Sequence, residues 1–402
     1  MCFTSLRACA LFAIASLPVF LFACGGEEPG PSVEAEAATE EGPSPGPLVI
    51  VGGALDRDNL PVYQAILDGR SGSGPLCVIP TASGSPEESM EGYVTAFDSL
   101  GGEGTAEGIF MTVDDPSRAT DSATVDALEG CSGFFFTGGS QGRIADVFMP
   151  GGEPTPAFHA VWERLQQGAV VSGSSAGAAI MSDPMIAGGS SEGALEHGVR
   201  SEADGDGVWL RPAFGFLEPG IVDQHFLARG RWGRLLVAVL ASVQDSMGFG
   251  IDENTALVVQ GDAARVSGES GVVYMDARDA SREAGGNGGH GIRLYLLGTG
   301  DVVSLANGSV TPAPDKSELG SSPSGPSPAA AADLFEDWKL LELLHSMAMA
   351  PDTLVTFREA GYVVEFRKAE GFRALAGSGE GIRGTPKGLF LGPLVVSVRR
   401  KE

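Results

Sequence analysis

Positive charge is scarce in this chain. Its 26 Lys and Arg residues face 52 Asp and Glu residues, for a formal net charge of −26. A nucleic-acid partner is therefore not expected, because a phosphate backbone requires a basic face. Histidine and cysteine are also sparse, at five each, with no Cys-x-x-Cys spacing. That argues against a structural zinc site, and neither a metal nor a cofactor is expected. Long hydrophobic runs are missing too. The run Ala8 to Ala23 is too short to span a bilayer comfortably.

What is there is a hydrophobic content of 43% spread over 402 residues. That is enough for one large α/β domain or two smaller ones. Residues 1–24 read as a targeting segment: Arg7, the apolar run, then Leu21-Phe22-Ala23-Cys24. This pattern resembles a bacterial lipoprotein signal, with Cys24 as the lipidated residue and new N-terminus. Plain secretion is the alternative, and either route places the remainder outside the cytoplasm. Residues 25–47 are rich in Gly, Pro, Glu and Ala without apolar periodicity, and read as a disordered acidic tether. Cys77 and Cys131 stand near the starts of two apolar runs. They are expected as two buried thiols rather than a bridge, although an oxidising compartment permits one.

From Leu48 onward, short apolar runs alternate with helix-length patterns. Leu48–Val51, Leu76–Ile79, Gly108–Val113 and Phe134–Phe136 read as strands, with helices at Glu87–Leu100, Ala119–Leu128 and Ala157–Gln167. The rhythm predicts an α/β fold, a mainly parallel sheet flanked by helices on both faces. In such sheets ligands bind beyond the carboxyl ends of the strands. Residues 48–402 are expected to form a single domain. Ala187 to Gly207 reads as an irregular rim loop, 285–291 and 312–328 as surface inserts, and Ala329–Met349 as a helix. The strand-like runs after Thr353 are expected to pack on the sheet edge.

The stretch around which the chain is organised is Val171-Ser-Gly-Ser-Ser-Ala-Gly-Ala-Ala-Ile180. Strand, sharp turn and helix are the context in which Gly-x-Ser-x-Gly becomes a nucleophile elbow, with Ser175 at its tip. The plain alternative is a glycine-rich connection with a serine N-cap. A nucleophilic serine needs a base. Among the histidines, His225 alone follows a short strand amid polar residues. Glu253 or Asp252 could orient it, with Glu192 as a third candidate. The order serine, histidine, acid differs from that of α/β-hydrolases. Arg229, Arg231 and Arg234 cluster beside the proposed base. They read either as solvated helix arginines or as a carboxylate-binding group, and so strong an acidic background favours the second reading.

Four blocks carry a resemblance: Phe136-Thr-Gly-Gly-Ser-Gln141, Gly173-Ser-Ser-Ala-Gly177, Asp223-Gln-His-Phe226 with the three arginines, and Gly250-Ile-Asp-Glu-Asn-Thr-Ala-Leu257. In this order they resemble the cyanophycinase family of serine peptidases, which has aspartyl dipeptidase relatives. The resemblance covers roughly Leu48 to Val310. It implies a class I glutamine-amidotransferase-like fold, usually a homodimer. The implied activity is exo-cleavage of cyanophycin, a polyaspartate with arginine on its side chains, to β-Asp-Arg. It further implies Ser175 as nucleophile, His225 as base and Glu253 as the acid. Gln141, Asp223, Gln224, Arg229, Arg231 and Arg234 would line the substrate pocket. Backbone N–H groups of Gly139 and Ala176 would serve the oxyanion. Ser140 stands where the family often carries Asp.

Overall fold

The computed structural model describes residues 44–200, 202–203, 205–242, 246–320, 333–359 and 361–401. The expected leader, Cys24 and the tether as far as residue 43 lie outside the described residues, as do 321–332. The chain is already docked before Leu48. Gly46 donates its N–H to the Leu165 carbonyl at 2.7 Å, so the expected tether stops short of residue 47.

The first half reads β1 (Leu48–Val51), α1 (Leu60–Asp68), β2 (Leu76–Ile79), α2 (Pro86–Gly101), β3 (Ala106–Gly108), α3 (Ser122–Glu129), β4 (Gly133–Phe136), α4 (Gln141–Phe148), α5 (Pro156–Gln166), β5 (Val170–Ser174) and α6 (Ala176–Ala179). The runs LVIV, LCVI and GFFF are buried throughout, as strands covered on both faces must be. Helix starts are encoded locally. Asp121 accepts from the Thr124 N–H and Thr155 from the Phe158 N–H, and Pro156 opens α5. These strands lie in the order β1, β5, β4, β2, β3, all parallel. Their side chains alternate between two cores. Val49, Val51 and Phe135 pack against Tyr63 and Phe97 of α1 and α2. Ile50, Phe134 and Phe136 pack against Ile144, Phe148 and Val161 of α4 and α5. Each such buried side chain contributes about 1.5–3 kcal/mol. The expected strand Gly108–Val113 is displaced to Ala106–Gly108. Beyond it Ile109 and Met111 are buried, and Ile109 still donates its N–H to the Val78 carbonyl of β2 at 2.9 Å.

The stretch expected as an irregular rim is structured. β6 (Met185–Gly188), α7 (Ser191–His197), β7 (Val199–Arg200) and β8 (Val208–Arg211) form a small three-stranded sheet with its helix. Ser190 caps α7, and Ala194 and Leu195 anchor it, two signals too short to stand out from a Gly/Ser-rich background.

The chain then runs β9 (Ile221–Gln224), α8 (Trp232–Ala241), β10 (Met247–Ile251), β11 (Thr255–Gln260), β12 (Ala263–Gly268), β13 (Val272–Asp276), β14 (Ser281–Arg282), β15 (Gly289–Leu297), β16 (Val302–Ser304), β17 (Val310–Thr311), β18 (Ser317–Glu318), α9 (Lys339–Met349), β19 (Leu354–Glu359), β20 (Tyr362–Ala376) and β21 (Phe390–Arg400). β11, β12, β16 and β17 extend the first sheet antiparallel beyond β1. The expectation of a mainly parallel sheet therefore holds for five strands of nine. A second nine-stranded sheet runs β18-β20-β21-β15-β13-β10-β9, with β14 on β15 and β19 on β20. It is antiparallel except for β9 with β10. The C-terminal strands, expected on the edge of the nucleophile's sheet, instead build one side of this second sheet. One face of it meets the first sheet through Val222, Phe249 and Tyr274. The other packs on α8 and α9 through Leu235, Leu340 and Leu344.

Cys77 and Cys131, expected as thiols, form a disulfide with Cα atoms 5.8 Å apart. β2 and β4 are neighbours, with Leu76 opposite Gly133. Cys77 on β2 therefore lies beside the residue that leads into β4. That adjacency is a product of strand order, which apolar runs do not reveal.

Candidate active site

The site is assembled on the carboxyl end of β1. β5 lies on one side of β1 and β11 on the other, with Val51 opposite both Ser174 and Ala256. Three consecutive carbonyls at this end accept one backbone N–H each. Val51 takes that of Ser175 at 3.0 Å, Gly52 that of His225 at 2.7 Å, and Gly53 that of Asn254, next to Glu253, at 2.8 Å. One strand end thus sets the spacing of three residues far apart in sequence. β9 and β10 complete the arrangement. They run parallel with Gln224 opposite Ile251, so His225 and Asp252-Glu253 leave the second sheet side by side.

Ser175 joins β5 to α6 at φ 56°, ψ −104°, a region that non-glycine residues seldom occupy. Glycines on either side permit the tight approach. A Cβ on Gly173 would lie 2.5 Å from the Gly177 carbonyl oxygen, and one on Gly177 would lie 2.3 Å from that of Phe136. The N-cap alternative is answered by the side chain itself. Ser175 makes no capping bond to α6; its Oγ lies 2.9 Å from Nε2 of His225.

His225, also at positive φ, is buried. Its Nδ1 lies 2.5 Å from Oε1 of Glu253. Burial pushes the imidazole below its ordinary value of 6.5, and the hydrogen bond to Glu253 pulls in the opposite direction. One ring nitrogen thus lies on a carboxylate and the other on a hydroxyl. Among the three candidate acids the geometry separates cleanly. Asp252 turns away into the protein, where it accepts the N–H groups of Leu227 and Ala228 and the Ser270 hydroxyl. Burial pushes its carboxyl up to about 6. It ties down the segment that follows His225. Glu192 sits exposed in the first turn of α7.

The three arginines divide by depth. Arg234, 6% exposed, grips Asp223 with two nitrogens at 2.7 and 2.5 Å and donates to the Gly189 carbonyl. The charge of Asp223, expected to line the substrate pocket, is taken up by this pair. Arg231, 15% exposed, holds the backbone and side-chain oxygens of Gln224. Burial, together with Arg234, pushes its guanidinium down to about 10. Arg229, 51% exposed, reaches to 4.0 Å from Glu253 and is the arginine left open to solvent. Gln141, at the start of α4, donates to the Ile186 carbonyl at 2.9 Å and so ties α4 to β6.

Gly139 follows β4 at φ 141°, pressed on the loop after β2: a Cβ there would meet the Ala82 carbonyl at 2.0 Å. Ala176 opens α6. Two neighbours escaped the sequence reading. A Cβ on Gly138 would lie 3.4 Å from that of Ser175, and one on Gly53 would lie 2.3 Å from the His225 ring. The double glycine after β1 was the available signal, and it reads as turn chemistry or, more weakly, as backbone close to a ligand.

Comparison with known proteins gives a consistent picture. The model of peptidase family S51 matches residues 48–267. A cyanophycinase of Nostoc sp. strain PCC 7120 is 32% identical over 277 residues, 66% of this chain and 88% of that protein. A cyanophycinase of Geminocystis herdmanii is 31% identical over 265 residues, 63% of this chain and 92% of that protein. Among solved structures, a peptidase from an acI-B1 Actinobacterium is 24% identical, with a TM-score of 0.44, over 58% of this chain and 91% of that one.

Proposed function

The chain belongs to peptidase family S51 and is a serine-type peptidase, and from that premise we propose that Ser175, His225 and Glu253 are its catalytic triad and cyanophycin its substrate. The observation that carries this reading is the unbroken relay from the Ser175 hydroxyl through the His225 ring to the Glu253 carboxylate. The turn at Ser175 then acts as the nucleophile elbow. Oγ attacks the scissile carbonyl while Nε2 of His225 takes its proton. Glu253 holds the ring and stabilises the imidazolium that forms. Backbone N–H groups of Ala176 and Gly139 face the oxyanion. Collapse passes the proton to the leaving amine and leaves an acyl-enzyme. Water, activated by the same histidine, then releases the acid and restores Ser175.

Substrate choice rests on the open cation. Arg229 stands exposed beside Glu253, suited to a free carboxylate such as the β-aspartyl unit displays. The cyanophycinases similar to this chain support the polymer as substrate. We place the enzyme outside the cytoplasm, held by a lipid on Cys24. The leader-like residues 1–24 support this, and the Cys77–Cys131 bridge is of the kind an oxidising compartment favours.

The test is incubation of the purified protein with cyanophycin, reading soluble products by mass spectrometry. Release of β-Asp-Arg by the wild type and none by Ser175→Ala is the expected result. Cleavage of isoaspartyl dipeptides without attack on the polymer would replace this reading with a dipeptidase. Activity surviving Ser175→Ala would overturn the assignment of the nucleophile.

A further inference from the structure

A cavity of about 430 Å³ opens at the carboxyl ends of β1 and β2, bounded by α1 and α2. None of the substrate residues discussed above lines it. Its volume lies within the range of small-ligand sites, about 300–1,000 Å³. Two of its walls belong to loops that also shape the catalytic site. Leu55 and Arg57 come from the loop whose Gly53 lies against the His225 ring. Ser83 comes from the loop on which Gly139 rests. Tyr93 of α2 forms a further wall, its ring centroid 4.4 Å from that of Phe135 on β4. Tyr63, buried, forms part of the floor.

The charges in this cavity lack partners. Among the described residues, no carboxylate lies within ion-pair distance of Arg57. Its Nη1 donates to the Gly92 carbonyl at 3.1 Å, leaving further N–H groups of the fork unoccupied. Arg57 is exposed at the mouth of the cavity, so the rest of its fork is open to an anion. Glu88, on another wall, likewise has no cation at ion-pair distance among the described residues. An anion receiver and a cation receiver thus share one cavity.

We propose that this cavity is a second substrate subsite, which takes a zwitterionic arm of the peptide next to the scissile bond, its carboxylate on Arg57 and its cationic end toward Glu88. The phenols of Tyr63 and Tyr93 supply the apolar floor for the methylenes between the two charges. The inference rests on the peptidase reading but not on the polymer being cleaved. It assigns recognition to the loop after β1 and to α2, on elements other than those that carry the three clustered arginines.

The experiment separates binding from turnover. Binding of a two-repeat (β-Asp-Arg) peptide is measured by calorimetry on Ser175→Ala, alone and combined with Arg57→Gln, Arg57→Lys or Glu88→Gln. Arg57→Gln is expected to weaken binding by at least about tenfold, with Arg57→Lys recovering only part because it lacks the planar fork. Glu88→Gln, at an exposed position that leaves folding intact, is expected to weaken binding several-fold. Binding unaltered by both Arg57→Gln and Glu88→Gln, or no binding to Ser175→Ala itself, overturns the subsite. Arg57-dependent binding without cleavage of cyanophycin by the wild type would sink the proposed substrate and leave the subsite standing.

Discussion

Gly53 lies against the His225 imidazole so closely that a Cβ at residue 53 would stand 2.3 Å from the ring carbon Cε1. Its φ of 113° is likewise one that side chains rarely adopt. Gly53→Ala is therefore expected to displace the ring from Ser175 and lower kcat by about a hundredfold or more, an effect that small misplacements of a catalytic group can produce. The thermal midpoint should move far less than the rate. Unchanged kcat would mean that the ring does not need its observed position.

Asp223 and Arg234 form a buried pair, and Arg229 stands in solvent. Removal of one member of a buried pair typically costs about 3–5 kcal/mol, because the other charge is left without its partner. Arg234→Ala should therefore lower thermal stability sharply. Arg229→Ala should leave the melting temperature within a few degrees and raise KM instead. The reverse pattern would reassign the two arginines.

Burial holds the His225 imidazole below its ordinary value of 6.5. The neutral ring is the working base, so activity is lost as pH falls through that lowered value. The acid limb of kcat/KM should have its midpoint below 6.5. Glu253 raises the ring's basicity, so Glu253→Gln should shift the limb to still lower pH while reducing kcat by about 10³–10⁴-fold through lost orientation. A wild-type limb midpoint above 6.5 would contradict the burial argument.

The Cys77–Cys131 bridge closes a loop of sequence separation 54. Chain-entropy reasoning assigns such a loop about 4 kcal/mol at 25 °C. The double substitution Cys77→Ala, Cys131→Ala should lower the denaturation midpoint accordingly, with kcat near wild type in the folded protein. Thiol titration of the denatured, unreduced chain should find neither of these two cysteines free.

Much of the site was legible because its parts are local. Gly-x-Ser-x-Gly between an apolar run and a helix marked Ser175. A lone polar-flanked histidine after a strand marked His225, and a single block held both candidate acids. The choice between Asp252 and Glu253 was not legible. Adjacent residues leaving a strand point to opposite sides, and only the packing of the segment after His225 decides which side is the interior. The arginines were legible as a cluster and illegible as individuals, because depth is not a property of spacing. The cavity beside Arg57 left no motif at all. It joins residues from the loop after β1, the loop after β2 and two helices.

By itself the sequence determined most of the strands and three of the longer helices through β5, the chemistry of the candidate residues and their order along the chain. Those follow from side-chain type and short-range periodicity, which act within a few residues. Tertiary structure alone decided which strands are neighbours, and hence the Cys77–Cys131 bridge. It alone decided that the C-terminal strands build a second sheet around β9 and β10, and that three consecutive carbonyls at the end of β1 bring Ser175, His225 and Glu253 within hydrogen-bond reach. These are contacts between residues far apart in sequence, such as Gly53 and Asn254, specified by shape and burial rather than by any local pattern.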